Sequence, residues 1–326
     1  MSKKKKAIII GITGQDGSYL AEFLLKKKYT IHALLRSKQK NKKNRFWRIE
    51  KIIKKIIFYK TSLIEYKKLS NLIKKIKPNE IYHLGSQGLD YKLTDNFFRT
   101  NPNIKGTQNI LSIIKEHTPK TRFYFAASSE IFGKSKISPQ NENTKLDPRS
   151  AYAISKVAGF ELTKKFREIH NLFACTGILY NHESPRRGEY FVTKKIAKGV
   201  ARIYLGLDKK IKLGSINSKR DWGHAKDYVK AMWKMMQLKK AQDFVIGTGK
   251  QHYVKDFLKI AFKSVNLNYK QYVEINKSLT RKQDINKLKA NSSKAKRILK
   301  WKPQITFKKL VSEMVKNEIK ILKKNI

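Results

Sequence analysis

A doubly wound, Rossmann-type parallel α/β sheet, followed by a smaller mixed C-terminal domain, is the fold the sequence predicts. Three observations predict it. A short apolar run at residues 7–10 passes straight into Gly11-Ile12-Thr13-Gly14-Gln15-Asp16-Gly17, as a buried strand does when it turns tightly into a helix. Apolar runs and amphipathic stretches then alternate as far as residue 180. Beyond Asn181 that regularity fades. Taken in order, the spacing predicts strands over 7–10, 30–35, 56–59, 80–84, 122–127 and 172–179. Helices fall between them over 18–27, 63–75, 104–117 and 152–170. Residues 192–204 and the chain from 307 read as further helices, 213–223 as turn-rich, and Phe244-Val245-Ile246 as a strand returning to the main sheet. The expected division is 1–180, with the strand near 243–247 rejoining it, and 181–326.

The 326 residues suffice for two such units, and 40% hydrophobic with 11% aromatic residues supports a sizeable core. Lys and Arg number 74 against 24 Asp and Glu, a formal charge of +50. Taken alone, that excess points to nucleic acid or an anionic membrane surface. The lysines are instead scattered along the whole chain, among Ile and Asn, as in Lys51-Ile52-Ile53-Lys54-Lys55-Ile56-Ile57. Two readings stay open: a genome drifting toward A and T, or a selected role for the charge. The single cysteine, Cys175, excludes an intrachain disulfide and a Cys-based zinc site, and no metal is expected. It lies in an apolar run that suits burial. The apolar stretch after the N-terminal lysines is too short for a signal peptide or a membrane span, so a cytoplasmic protein is expected.

The glycine turn is the first site. A strand, Gly-x-x-Gly-x-x-Gly and a helix put backbone N–H groups and a helix N-terminus where a pyrophosphate can sit, with Gly14 and Gly17 letting backbone approach it. The second strand ends in Leu35-Arg36-Ser37, without the acid that bonds a 2′-hydroxyl in NAD enzymes. Arg36 and Ser37 suit a 2′-phosphate, so NADP is expected; the alternative is that Arg36 is one more solvated base. The second site is Tyr152-x-x-x-Lys156, which shares one helix face. An ammonium beside a phenol lowers its pKa and makes tyrosine a usable general base. Ser128, at the end of the preceding strand, could share the substrate proton. In a chain so rich in lysine the pairing could also arise by chance.

These residues resemble the extended short-chain dehydrogenase/reductase family, and within it the GDP-mannose 4,6-dehydratase family. The strongest stretches are residues 11–20, 128–130, 148–156, 181–189 and 220–228, and the last two are the most specific. The resemblance implies a catalytic set of Ser128, Glu130, Tyr152 and Lys156, with Glu130 as the acid/base. It implies cofactor contacts at Gly11, Thr13, Gly14, Gln15, Asp16, Gly17, Arg36, Ser37, Ser62, Leu63, Leu84, Gln87, Tyr152, Lys156, His182 and Arg187. It places the nucleotide-sugar at Ser128, Asn181, Lys195, Arg220 and Arg281, in the C-terminal unit. The implied reaction is loss of water from GDP-mannose with NADP as a transient hydride carrier, in a homo-oligomer (dimer or tetramer).

The chain also departs from the family. Ser62-Leu63 stands where the family has Asp-Leu, Gly88-Leu89-Asp90 replaces a Ser-His-Val-like segment, and Phe98 or Arg99 replaces a tyrosine. The loop after Arg36 has lysines in place of serines. Another nucleotide-sugar epimerase, reductase or dehydratase therefore remains an alternative. A basic Rossmann-fold protein that binds RNA or an anionic surface is the non-enzyme alternative, and the Ser128, Tyr152 and Lys156 set argues against it.

Overall fold

The computed structural model describes residues 4–35, 45–85, 101–279 and 288–324. Its first half alternates β1 (Lys6–Ile10), α1 (Gln15–Lys26), β2 (Thr30–Leu35), β3 (Ile56–Lys60), α2 (Tyr66–Ile76), β4 (Glu80–His83), α3 (Pro102–His117), β5 (Arg122–Ser128), α4 (Ala151–His170) and β6 (Ala174–Leu179). There follow β7 (His182–Glu183), α5 (Val192–Tyr204), β8 (Ile211–Leu213), β9 (Lys219–Asp221), β10 (Gly223–His224), α6 (Ala225–Met235), β11 (Phe244–Ile246), β12 (Gln251–Tyr253), α7 (Val254–Lys263), β13 (Val273–Ile275), α8 (Ser293–Ile298) and α9 (Phe307–Leu322).

Seven strands form one sheet in the order β11-β6-β5-β4-β1-β2-β3, every pair parallel. The expected return of 244–246 to the main sheet is found, with Val245 opposite Ile178. Parallel strands covered on both faces read as continuous apolar runs, which is why Ala7-Ile8-Ile9-Ile10 is buried throughout. Ile9, Leu20, Leu24, Ile31, Tyr82, Tyr124 and Met232 make one face of the core, under α1 and α6. Ile8, Leu69, Ile73, Ile81, Ile110, Phe125 and Phe160 make the other, under α2, α3 and α4. A third cluster joins α5, α7 and α9 through Ile196, Val200, Trp222, Phe257, Phe262 and Met314. Cys175 is buried, its sulfur 3.9 Å from that of Met236. Among the described residues no helix is long and apolar enough to cross a membrane.

The chain order reverses between β1 and β4, so the crevice at their carboxyl ends is the place where an open α/β sheet takes a ligand. Two local devices aim residues into it. Gly14, in extended conformation, starts α1 at Gln15, three residues before the apolar periodicity begins. Ser150 accepts a hydrogen bond from Ala153 N at 3.1 Å and so starts α4 at Ala151, one residue ahead of Tyr152.

Candidate active site

The glycine turn joins β1 to α1 as the spacing predicts, and its glycines meet different surroundings. Gly11 has φ +89°, and a Cβ there would lie 2.8 Å from Gly85 N, so it is fixed by the close approach of the chain leaving β4. A Cβ on Gly17 would lie 2.3 Å from Gly11 O and 2.6 Å from Ile12 Cα. Gly17 therefore lets α1 pack on its own turn; its expected role at the ligand is not what the geometry requires. A Cβ on Gly14 would meet only Gly11 O, at 3.2 Å, and Gly14 is exposed. Among the described residues no side chain caps the first N–H groups of α1. An exposed glycine at an uncapped helix N-terminus is a fitting seat for a phosphate oxygen.

Below the turn, the side chains of Gln15, Asp16, His182 and Ser184 are bonded together. Gln15 Nε2 donates to the His182 carbonyl at 3.0 Å, and Ser184 Oγ donates to Gln15 Oε1 at 2.7 Å. Asp16 Oδ2 lies 2.8 Å from His182 Nε2, whose ring stacks on Tyr228 at 4.5 Å. Although burial opposes charge, His182 holds the Asp16 carboxyl below its ordinary value, and Asp16 raises the His182 pKa. His182 was expected to contact the cofactor, yet both of its ring nitrogens are engaged within the protein. Arg187 lies 2.9 Å from Glu183 and stacks on Phe191 at 3.4 Å, and its charge reaches both Asp16 and Tyr152.

The sequence reading missed Arg48. Its Nε donates to Arg186 O at 2.7 Å, and its Nη1 donates to Thr13 O, inside the glycine turn, at 3.3 Å. Burial and the nearby Arg186 and Arg187 depress its pKa. Nothing in the basic stretch around it singles out this arginine.

The catalytic candidates converge at the end of β5. Ser128 Oγ accepts from Glu130 N at 3.3 Å, and Ser128 stands close enough to the Tyr152 hydroxyl to favour its ionised form. Lys156 is buried, donates from Nζ to Ala126 O at 2.8 Å, and lies 5.6 Å from the centre of the Tyr152 ring. The expected lowering of the phenol is not found in the protein's own field. Burial, and after it the Glu130 charge, push Tyr152 above its ordinary value; Ser128 and Arg187 pull it down, but by less. Burial also lowers Lys156 itself, to about 8. The ammonium stands over the ring and bonds a carbonyl, which is why spacing alone misjudged its effect.

The remaining expected residues take these local places, or lie outside the described chain. Ser62 N donates to Glu65 Oε2 at 3.0 Å. The Leu63 carbonyl accepts from Asn109 at 2.8 Å, and Leu84 N donates to Ile10 O at 3.0 Å beside the turn. Asn181 O accepts from Gly223 N at 2.9 Å, Lys195 is an exposed residue of α5, and Arg220 lies in β9 opposite His252. Arg36, Ser37, Gln87, the segment 88–99 and Arg281 lie outside the described residues.

Fold and site together define an extended short-chain dehydrogenase/reductase. The family model for GDP-mannose 4,6 dehydratase matches residues 8–314. A GDP-mannose 4,6 dehydratase of Arabidopsis thaliana is 41% identical over 98% of this chain and 88% of its own. The Drosophila melanogaster enzyme of that name is 40% identical over 99% and 88%, and the human one 38% over 98% and 92%. The chain belongs to the GDP-mannose 4,6-dehydratase family. Among solved structures, a UDP-glucose 4-epimerase of Thermotoga maritima with UDP-glucose superposes with a TM-score of 0.83 at 21% identity, covering 97% of this chain and 99% of that one. A dTDP-glucose 4,6-dehydratase of Bacillus anthracis with NAD gives 0.82 at 20%, covering 97% of each. RMD of Pseudomonas aeruginosa with NADPH gives 0.77 at 18%, covering 97% and 100%.

Proposed function

We propose that this protein is a hydro-lyase that converts GDP-mannose to GDP-4-keto-6-deoxymannose and water, with NADP as its cofactor. The observation that carries the residue roles is the convergence on one hydroxyl. Tyr152 has Ser128 and the Glu130 carboxylate within electrostatic reach and shares its helix face with Lys156. The uncapped N-terminus of α1 with Gly14, together with Arg36, Ser37 and Arg187, would hold the dinucleotide. NADP, when bound, would supply what the side chains lack, a reversible hydride acceptor for carbon 4 of the sugar and donor for carbon 6.

The protein's own groups move the protons. Tyr152 takes the proton of the carbon 4 hydroxyl, with Ser128 donating a hydrogen bond to the same oxygen. The resulting ketone acidifies the neighbouring carbon 5 position. Glu130 takes that proton and delivers one to the departing carbon 6 hydroxyl, which leaves as water; Tyr152 then gives its proton to carbon 5 as hydrogen is restored at carbon 6, so both groups return to their starting state. Because burial, and after it Glu130, push the phenol up, proton removal at carbon 4 is favoured by positive charge nearby, which Arg187 provides. In this reading residues 1–180 with β11 form the cofactor half. Residues 181–326 form mainly the nucleotide-sugar half, with Asn181, Lys195, Arg220 and Arg281 on the nucleotide-sugar. A cytoplasmic homo-oligomer is the matching assembly. The test is direct: purified protein with GDP-mannose and NADP should yield a product lighter by one water, with no net reduction of cofactor. Unchanged GDP-mannose, or an epimer of equal mass, would refute it.

A further inference from the structure

Asp221 is almost wholly buried, and its carboxylate accepts four hydrogen bonds. Oδ1 receives Thr248 N at 2.9 Å and Thr248 Oγ1 at 2.5 Å. Oδ2 receives Gly249 N at 2.8 Å and Ala290 N at 3.1 Å. One side chain thus joins three segments far apart in sequence: β9, the turn after β11, and the stretch beginning at Leu288. The last is held a second time by Gln140, also buried, which takes Lys289 N on its Oε1 at 2.9 Å and Asn291 N on its backbone carbonyl at 2.7 Å.

The neighbours of Asp221 give this clamp a purpose. Side chains alternate along a strand, so Arg220 faces away from the clamp. Asp221 fixes the backbone from which Arg220 projects. A carboxylate meeting only donors is costly to replace, because an amide would set N–H against N–H.

We propose that Asp221 is a positioning residue for nucleotide-sugar binding: its carboxylate locks the Arg220 strand to the 247–249 turn and the 288–291 stretch, and so presents Arg220 to the GDP diphosphate. The proposal rests on the assignment of a GDP-sugar to this side of the protein. It makes Asp221 act on the substrate through Arg220, without touching the substrate itself.

Calorimetric titration with GDP and, separately, with NADP tests it on the full chain. Wild type binds both. Asp221→Asn should bind GDP at least about tenfold more weakly and NADP within about twofold of wild type, because the lost contacts lie on one side of the site only. KM for GDP-mannose should rise while kcat at saturation holds, a split that general loosening of the fold would not give. Thr248→Val deletes one of the four bonds and should show a smaller change of the same kind; it decides the matter if Asp221→Asn does not fold. Unchanged GDP affinity in a folded variant, or GDP and NADP affinities falling together, would overturn the proposal. Wild type that binds NADP but no GDP would instead overturn the substrate assignment, and the proposal with it.

Discussion

The imidazole of His182 meets an acceptor at each nitrogen: Asp16 Oδ2 at 2.8 Å from Nε2, and the Tyr180 carbonyl at 2.7 Å from Nδ1. A neutral imidazole has only one N–H, so this arrangement calls for the imidazolium. The pair ties the first turn of α1 to β7, across 166 residues of chain.

Breaking the pair from one side should therefore destabilise the protein in a pH-dependent way. The His182 pKa is raised on folding, so its contribution is complete below 6.5 and is lost as pH rises through the folded value. That of Asp16 is lowered, so its contribution holds above 3.8 and is lost as pH falls through the folded value. Asp16→Asn should cost about 3 kcal/mol between those limits. Urea denaturation at several pH values should show the gap to wild type narrowing once His182 deprotonates. A gap that widens with rising pH would contradict the imidazolium assignment.

The glycines of the turn should separate fold from binding. Gly17→Ala forces a methyl group into the Gly11–Ile12 backbone and should destabilise the protein by about 3 kcal/mol or more. Gly14→Ala meets only one carbonyl oxygen, so the fold should survive while NADP affinity falls at least about tenfold. Melting curves and cofactor titration read the two effects independently. Similar damage to stability from both would show that Gly14 is also a packing glycine.

Tyr152→Phe should abolish turnover and leave NADP binding intact. The phenol oxygen carries the proton, and loss of a positioned base typically costs about 10²–10⁴-fold. Near wild-type turnover would remove Tyr152 from the chemistry.

Much of this was legible in the chain because burial on both faces of a parallel sheet leaves unbroken apolar runs. The 30–35 strand and the 192–204 helix stand where their patterns put them. Helices α6 and α7 were harder, because lysines interrupt their apolar faces and no Ser, Thr, Asp or Asn cap marks their starts. Tyr152 and Lys156 were readable from helical spacing, whereas the direction of the Tyr152 shift was not. It depends on burial and on the Glu130 charge, which only the folded end of β5 brings into reach. The Asp16–His182 pair and the Asp221 clamp join residues remote in sequence, and no local pattern encodes either.

Glu130 separates a dehydratase from a plain dehydrogenase, so its substitution tests the account most directly. Glutamine keeps the shape of the side chain but cannot accept the carbon 5 proton. In a single turnover with GDP-mannose in deuterated water, Glu130→Gln should still show some reduced-cofactor absorbance from oxidation at carbon 4. It should lose deuterium exchange at carbon 5 and the release of water. Formation of the 6-deoxy-4-keto product at a rate close to wild type would contradict the assignment of Glu130 as the acid/base of the elimination.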